Sequence, residues 1–414
     1  MSKRFAFTII LNLLLIGNYS FAEGLELSPK AALDEALQSN LQIKALSASI
    51  PITEANLIVA KYRPNPIIIS NTEIVKGGSL HPIQIGAIIE TGKKRYWRMQ
   101  VANEEISKAR LEVEKIIWEI RTQVKIAYAD LSIKKAFLEL AKERFDFLTF
   151  LLESVKKQQK EKTVSEIELE RVSLEILRAE NIINERSKQL TVSQIGFNQL
   201  LHRVLKSTLT VLSAKELQPK FELSKYPDLD KLIEKALEKR IEIGILEKQY
   251  GIVRAQLNRA KNDRIPNVYF EAGPVKPSIG TNIWGPYVGG YTEIPLFNRK
   301  QGEIMSAIAT QEFLKMQKEK TREDITVEVM KSYEELLLNE EILKIFQNEM
   351  RNHSANLIRK TLDGYEKGLF TLSDVLDAEE KDRDVDEGYL GSILEYQIAL
   401  ARLEYAVGEP ILEF

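Results

Sequence analysis

The 414-residue sequence contains no cysteine. That absence excludes disulfides, thiol chemistry and lipid attachment through an N-terminal cysteine, so the fold must hold without covalent help. Histidine occurs three times, scattered at 81, 202 and 353, and methionine only six times, so no metal-ligand spacing emerges and neither a metal site nor a cofactor is expected. No Gly-rich phosphate loop, nucleophile elbow or zinc-protease pattern is present, which leaves no catalytic residue to nominate and an expectation that the chain is not an enzyme. A surplus of one charge sign is missing as well: 58 basic against 60 acidic residues, net -2, give no basic face for nucleic acid. Beyond the N-terminus no stretch approaches eighteen apolar residues, so membrane contact is expected only through a β-barrel.

What is present begins with Lys3 and Arg4, an apolar run from Phe5 to Ile16, and the small-x-small sequence Ser20-Phe21-Ala22. This reads as a secretory signal over residues 1-22, cleaved near Ala22. The alternative is an uncleaved anchor, for which the run is shorter than the roughly 20 residues a span needs. An apolar content of 44% is ample for a core.

The chain is written twice. Ala36-Leu37 recur as Ala236-Leu237, Ile43 as Ile243, Leu46 as Leu246, Ala55 as Ala255, Leu57 as Leu257 and Ala60-Lys61 as Ala260-Lys261. Pro64-Asn65 match Pro266-Asn267, and Thr163-Val164-Ser165-Glu166-Ile167 match Thr371-Leu372-Ser373-Asp374-Val375. The expected organisation is a first structural repeat over 23-202, a connecting equatorial segment over 203-226 and a second repeat over 227-414.

Each repeat opens with a helical stretch, 28-62 and 228-262, that stops before a proline. A β-hairpin follows each, over 66-91 and 266-297. Ile83, Ile85, Ala87 and Ile89 alternate with Gln84, Gly86, Ile88 and Glu90, the period of a strand with one apolar face, while Tyr287 and Tyr291 are expected at a membrane interface. Long helical hairpins complete the repeats, over 95-201 and 300-408. Ile120, Val124, Ala127, Leu131, Leu138, Ala141, Phe145, Leu148, Leu152 and Val155 form a heptad seam; Leu169, Val172, Ile176, Ala179, Ile183, Leu190, Phe197 and Leu200 form its antiparallel return. Tyr389, Ile393, Tyr396, Leu400, Leu403 and Val407 repeat the seam in the second half. The fold class is therefore mainly α with a small β-barrel part. Four strands per chain cannot close a barrel, and an open edge cannot face lipid, so oligomerisation is required and the product is a tube.

With these elements, the whole mature chain resembles the TolC family of outer-membrane efflux proteins. The most specific match is Tyr365-Glu366-Lys367-Gly368-Leu369-Phe370-Thr371-Leu372-Ser373-Asp374-Val375-Leu376-Asp377-Ala378, similar to that family's second helical tip. The resemblance implies a homotrimer with twelve strands in outer-membrane lipid and a helical tunnel through the periplasm. It also implies docking to a periplasmic adaptor and an inner-membrane RND-type pump. Short barrel loops and the lack of insertions resemble the heavy-metal cation branch, with multidrug efflux or type I protein secretion as alternative cargo routes. A purely structural periplasmic coiled coil is the reading of a different class.

The same resemblance implies carboxylate rings at the periplasmic aperture from Asp374 and Asp377, beside the plain alternative of two solvated acids in a helix's first turn. Glu379, Glu380, Asp382, Asp384, Asp386 and Glu387 continue the acidic stretch and are read as either a cation-favouring entrance or a wet helix face. Adaptor docking is expected at Thr163, Val164 and Ser165 on one tip and at Tyr365, Gly368 and Thr371 on the other. Phe370 replaces a basic residue common at this tip in the family.

Overall fold

The computed structural model describes residues 27–76, 78–160, 165–205, 207, 211, 217, 227–277 and 283–411. The signal segment, Thr163 and Val164 lie outside these residues. The first half comprises α1 (Pro29–Ser39), α2 (Leu41–Ser47), α3 (Ile50–Lys61), β1 (Ile67–Ser70), β2 (Glu73–Val75), β3 (Gly78–Ile89), α4 (Lys94–Lys160) and α5 (Glu166–Leu200). The second comprises α6 (Leu229–Lys239), α7 (Ile241–Asp263), β4 (Val268–Pro277), β5 (Gly285–Thr292), α8 (Gln301–Ile345), a π-turn (Phe346–Met350), α9 (Arg351–Glu366) and α10 (Leu372–Val407).

The opening helical stretch of each half, expected as one helix over 28-62 and 228-262, is broken. It breaks at Asn40 and at Arg240, whose backbones are nearly identical (φ -58, ψ 123 and φ -62, ψ 123). Asn40 breaks its helix by capping the next: its side chain accepts from the amides of Gln42 and Ile43 at 2.9 and 3.2 Å. A further break at Ser49 precedes Pro51, which has no N–H to donate. Ala36 and Ala236 are both fully buried, and Ile43 and Ile243 nearly so, which is the duplication expressed as packing.

α4 runs 67 residues, about 100 Å at ~1.5 Å per residue. Along its seam Ile120, Val124, Leu131, Ala141, Leu148 and Val155 are buried and Ala127, Leu138, Phe145 and Leu152 half-buried, and the returning α5 presents Val172, Ala179 and Phe197 to it. The matching path in the second half is α8, the π-turn and α9, so one extra residue's worth of winding interrupts the second long helix where the first is unbroken. Phe346 lies against Gly388 of α10 there, where an added Cβ would sit 2.7 Å from its ring.

Two rows of helices result. Nearer the sheet the order is α3–α4–α7–α8, and further along it is α5–α4–α10–α8/α9. The strands follow the same plan: β1, with β2 continuing it, pairs β3, then β4, then β5, all antiparallel. Every row therefore has two open ends. By composition Leu41–Lys61 also has the length and hydropathy of a membrane span, contrary to the sequence reading, yet α2 and α3 divide it and it stands at an open end with little of it buried. Its exposed Ile52, Ile58 and Val59 are matched at the other end of the row by Met305, Ile308 and Phe313 of α8.

Strand passes to helix by the same sharp corner in both halves. Lys93 (φ 56) precedes α4 and Lys300 (φ 58) precedes α8, both left-handed, a conformation costly for a residue with a side chain. Across the corner Lys94 donates to Asn267 at 2.7 Å and Arg98 pairs with Glu90, tying sheet to helix.

Candidate channel wall and helical tip

The sheet separates its side chains by character. Ile68, Ile85, Ala272 and Val288 stand in one cross-strand row, with Ile68, Ile85 and Val288 64 to 80% exposed. On the opposite face, Gly86, Glu271 and Gly289 form one row and Ile88, Tyr269 and Tyr291 the next. The Tyr287 hydroxyl donates to Glu271 at 3.3 Å, and Tyr291 stacks on Tyr269 at 4.4 Å between ring centroids. Tyr287 and Tyr291 thus lie with Glu271 and Gln84 on a mixed face that also carries Ile67, Ile69 and Ile88, opposite the wholly apolar row, which corrects their expected interfacial position. Strand period decides this: Tyr287 and Tyr291 share parity with each other, but Val288 takes the apolar side.

At the far end, the tip of α9 and α10 is built by local chemistry. Gly368, with φ 72, ends α9 in a Schellman turn: its amide donates to Tyr365 O at 3.0 Å and the Leu369 amide to Gly364 O at 2.8 Å. Phe370 folds back over Gly364, where any Cβ would lie 2.2 Å from the ring. Thr371 then caps α10 in a reciprocal box with Asp374: Asp374 N donates to Thr371 Oγ1 at 3.3 Å, while its carboxylate accepts from the Thr371 amide and hydroxyl at 2.7 and 2.8 Å. Ser165 and Glu168 make the same box at the start of α5. By these caps Ser165 corresponds to Thr371, so the sequence pairing of Thr163 with Thr371 is two residues out of step.

The two tips pack on each other within one chain. Leu151, Val155, Val172, Leu372 and Val375 form a small core, and Tyr365 closes it while its hydroxyl donates to Gln158 at 2.9 Å. Above it, Arg144 of α4 bridges Glu175 of α5 at 3.2 Å and Glu379 of α10 at 3.1 Å. Burial pushes the Glu379 carboxyl above its ordinary value against the pull of Arg144 and Arg383, whereas the Thr371 bonds hold Asp374 below its own.

Both aperture candidates are exposed, but they are not alike: Asp374 is engaged by its cap, and Asp377 has no ion pair among the described residues. Most of the acidic stretch after them is neutralised. Glu380 and Asp384 face Arg383, Asp386 meets Arg351 at 2.7 Å and Glu387 meets Arg186 at 2.8 Å, which leaves Asp382 outside any ion pair among the described residues. Charge counting along the sequence missed this because every arginine partner except Arg383 comes from another helix.

Among the described residues no group of His, Asp and Glu could hold a metal ion. The geometry instead describes a wall: long helices in rows, a two-faced sheet on one end and a folded tip on the other. This is the fold of the TolC-like outer-membrane channels. No family model matches the chain. It is similar to the cobalt-zinc-cadmium resistance protein CzcC of Cupriavidus metallidurans, 20% identical over 385 residues that cover 92% of this chain and 90% of that protein. Among solved structures, CusC superposes with a TM-score of 0.77 at 16% identity over 93% of each chain. VceC of Vibrio cholerae does so with 0.75 at 14%, over 93% of this chain and 97% of that one.

Proposed function

We propose that the chain is the outer-membrane channel of a tripartite efflux pump and passes heavy-metal cations. The observation that carries the channel is the two-faced sheet with open ends. Its exposed apolar face suits lipid, its opposite face, where Glu271, Gln84 and the tyrosines sit, suits a lumen, and neither is of use until neighbouring copies pair the free edges. Three copies of a sheet four strand positions wide supply twelve, while the α3 and α8 edges and the α5 and α9 edges close the helical rows alongside. Likeness to CzcC and CusC over nearly the whole chain supports the metal cargo, an adaptor and an inner-membrane pump as partners, and an outer-membrane location, while export by a signal cleaved near Ala22 rests on the N-terminal residues themselves.

In this reading the tip is the periplasmic aperture. Asp377, threefold, supplies free carboxylates there, and Asp374 holds the helix start that positions them. Ser165, Tyr365, Gly368 and Thr371, with exposed Leu369 and Phe370 beside them, are the docking surface for the adaptor, together with Thr163 and Val164.

Deletion of the gene is expected to sensitise cells to zinc, cobalt or cadmium salts and raise cell-associated metal, with lipophilic drugs and dyes little affected. Sensitivity to drugs alone removes the metal cargo and keeps the channel. Recovery of the protein as a soluble, monomeric species rather than as heat-resistant trimers in outer-membrane fractions removes the channel itself.

A further inference from the structure

Between α1, the middle of α4 and the end of α10 lies a cavity of about 500 Å³, a size that suits a small ligand. Its walls are apolar: Leu33 from α1, Trp118 and Val124 from α4, and a proline at either rim. Most of its polar groups are already engaged. Glu404 accepts from Lys125 and from the Ile411 amide at 3.2 Å, the Tyr128 hydroxyl donates to Leu27 O at 2.7 Å, and Thr122 donates to Trp118 O at 3.1 Å.

Two cations remain. Neither Lys30 nor Arg121 has an ion-pair partner among the described residues; the Arg121 guanidinium lies over the Trp118 ring at 5.3 Å to its centroid, and its buried Nε lacks a hydrogen-bond acceptor. An unmet buried donor is costly, and here it sits beside an apolar space large enough for a guest. α4 and α10 are inner members of their rows, so closing the ring at α3, α8, α5 and α9 does not cover this site.

We propose that the cavity binds a small amphiphilic organic anion, a medium-chain carboxylate being the simplest, with its head on Arg121 and Lys30 and its apolar body along Leu33, Trp118 and Val124. Cations are repelled by the surplus positive charge, and a neutral alcohol leaves the guanidinium without a charged acceptor. The site shares no residue with the acidic tip.

The chain has three tryptophans, at 97, 118 and 284, and of these Trp118 lines the cavity. In trimers of the Trp97→Phe, Trp284→Phe variant held in a nonionic detergent, 10-bromodecanoate is expected to quench Trp118 saturably. The alcohol 10-bromodecanol should need about tenfold more. Arg121→Gln should weaken the carboxylate by about tenfold, and Leu33→Phe, which fills the space, should abolish saturation while trimers and helicity persist. If Arg121→Gln fails to fold, Lys30→Gln at the exposed start of α1 serves instead, with a several-fold loss. Absence of saturable quenching up to about 1 mM, equal quenching by the alcohol, or carboxylate quenching unaltered by the charge and cavity variants overturns the proposal.

Discussion

Arg144 reaches two helices at once, and its removal separates attraction from desolvation at the tip. Arg144→Met removes the ion-pair partner of the buried Glu379, leaving it only the pull of Arg383 while Glu175 keeps Arg178, and is expected to cost about 3 kcal/mol, whereas Arg144→Met with Glu379→Met recovers most of the loss. Thermal loss of helicity in purified trimers measures both. Glu379 also predicts a pH dependence of definite sign. Its carboxyl is raised in the folded state by burial, so its contribution is fully present below the ordinary carboxylate value and is lost as pH rises through the raised value. Asp374 is lowered by its cap, so its contribution is present above the ordinary value and is lost as pH falls through the lowered one. Mild acid above the ordinary carboxylate range should therefore stabilise the tip through Glu379 before the cap is touched. Glu379→Gln should flatten that rise; a melting profile that keeps its slope in this variant assigns the effect to another group.

At the scale of elements, close backbone approach is what the glycines permit. A Cβ on Gly273 would lie 2.0 Å from Ile83 O of the paired strand, so Gly273→Val should prise β4 from β3 and abolish trimers in the membrane fraction. Gly302→Ala, with nothing within 4 Å, should assemble normally. The same scale explains what the sequence could tell. The seams of α4, α5 and α10 were legible because burial there is set by helical period within one chain. The duplication was legible because Ala36 and Ala236, or Ile43 and Ile243, meet the same packing constraint twice. The breaks at Asn40 and Arg240 were not, since one is a polar cap and the other an arginine held, besides its neighbour Glu242, by Glu328 and the carbonyls of Tyr405 and Ala406, partners that only folding brings near. The strand faces were half legible: the alternation of β3 was plain, but assigning Tyr287 to a side required its register against Gly273.

For the whole molecule, the apolar ends of the helical row make one prediction that either edge can test. Ile52 and Ile58 of α3 are 64 and 50% exposed, and Phe313 of α8 is 62% exposed, although all belong to helices whose other faces are packed. A chain standing alone gains nothing from such a pattern, and large exposed apolar faces mark interfaces. If α8 of one copy lies on α3 of the next, a carboxylate on either edge is buried without a partner at each of the ring's junctions, so a single substitution is felt three times. Ile52→Asp and Phe313→Asp should therefore give the same outcome from opposite ends of the chain: monomers of normal helicity that fail to form heat-resistant trimers. Lys231→Asp, an exposed change on α6 rather than on α3 or α8, should leave the trimers intact. A clean result would show one variant assembling while the other does not, if the two surfaces served different partners; equal loss in both, with helicity retained, is what a closed ring of identical copies requires.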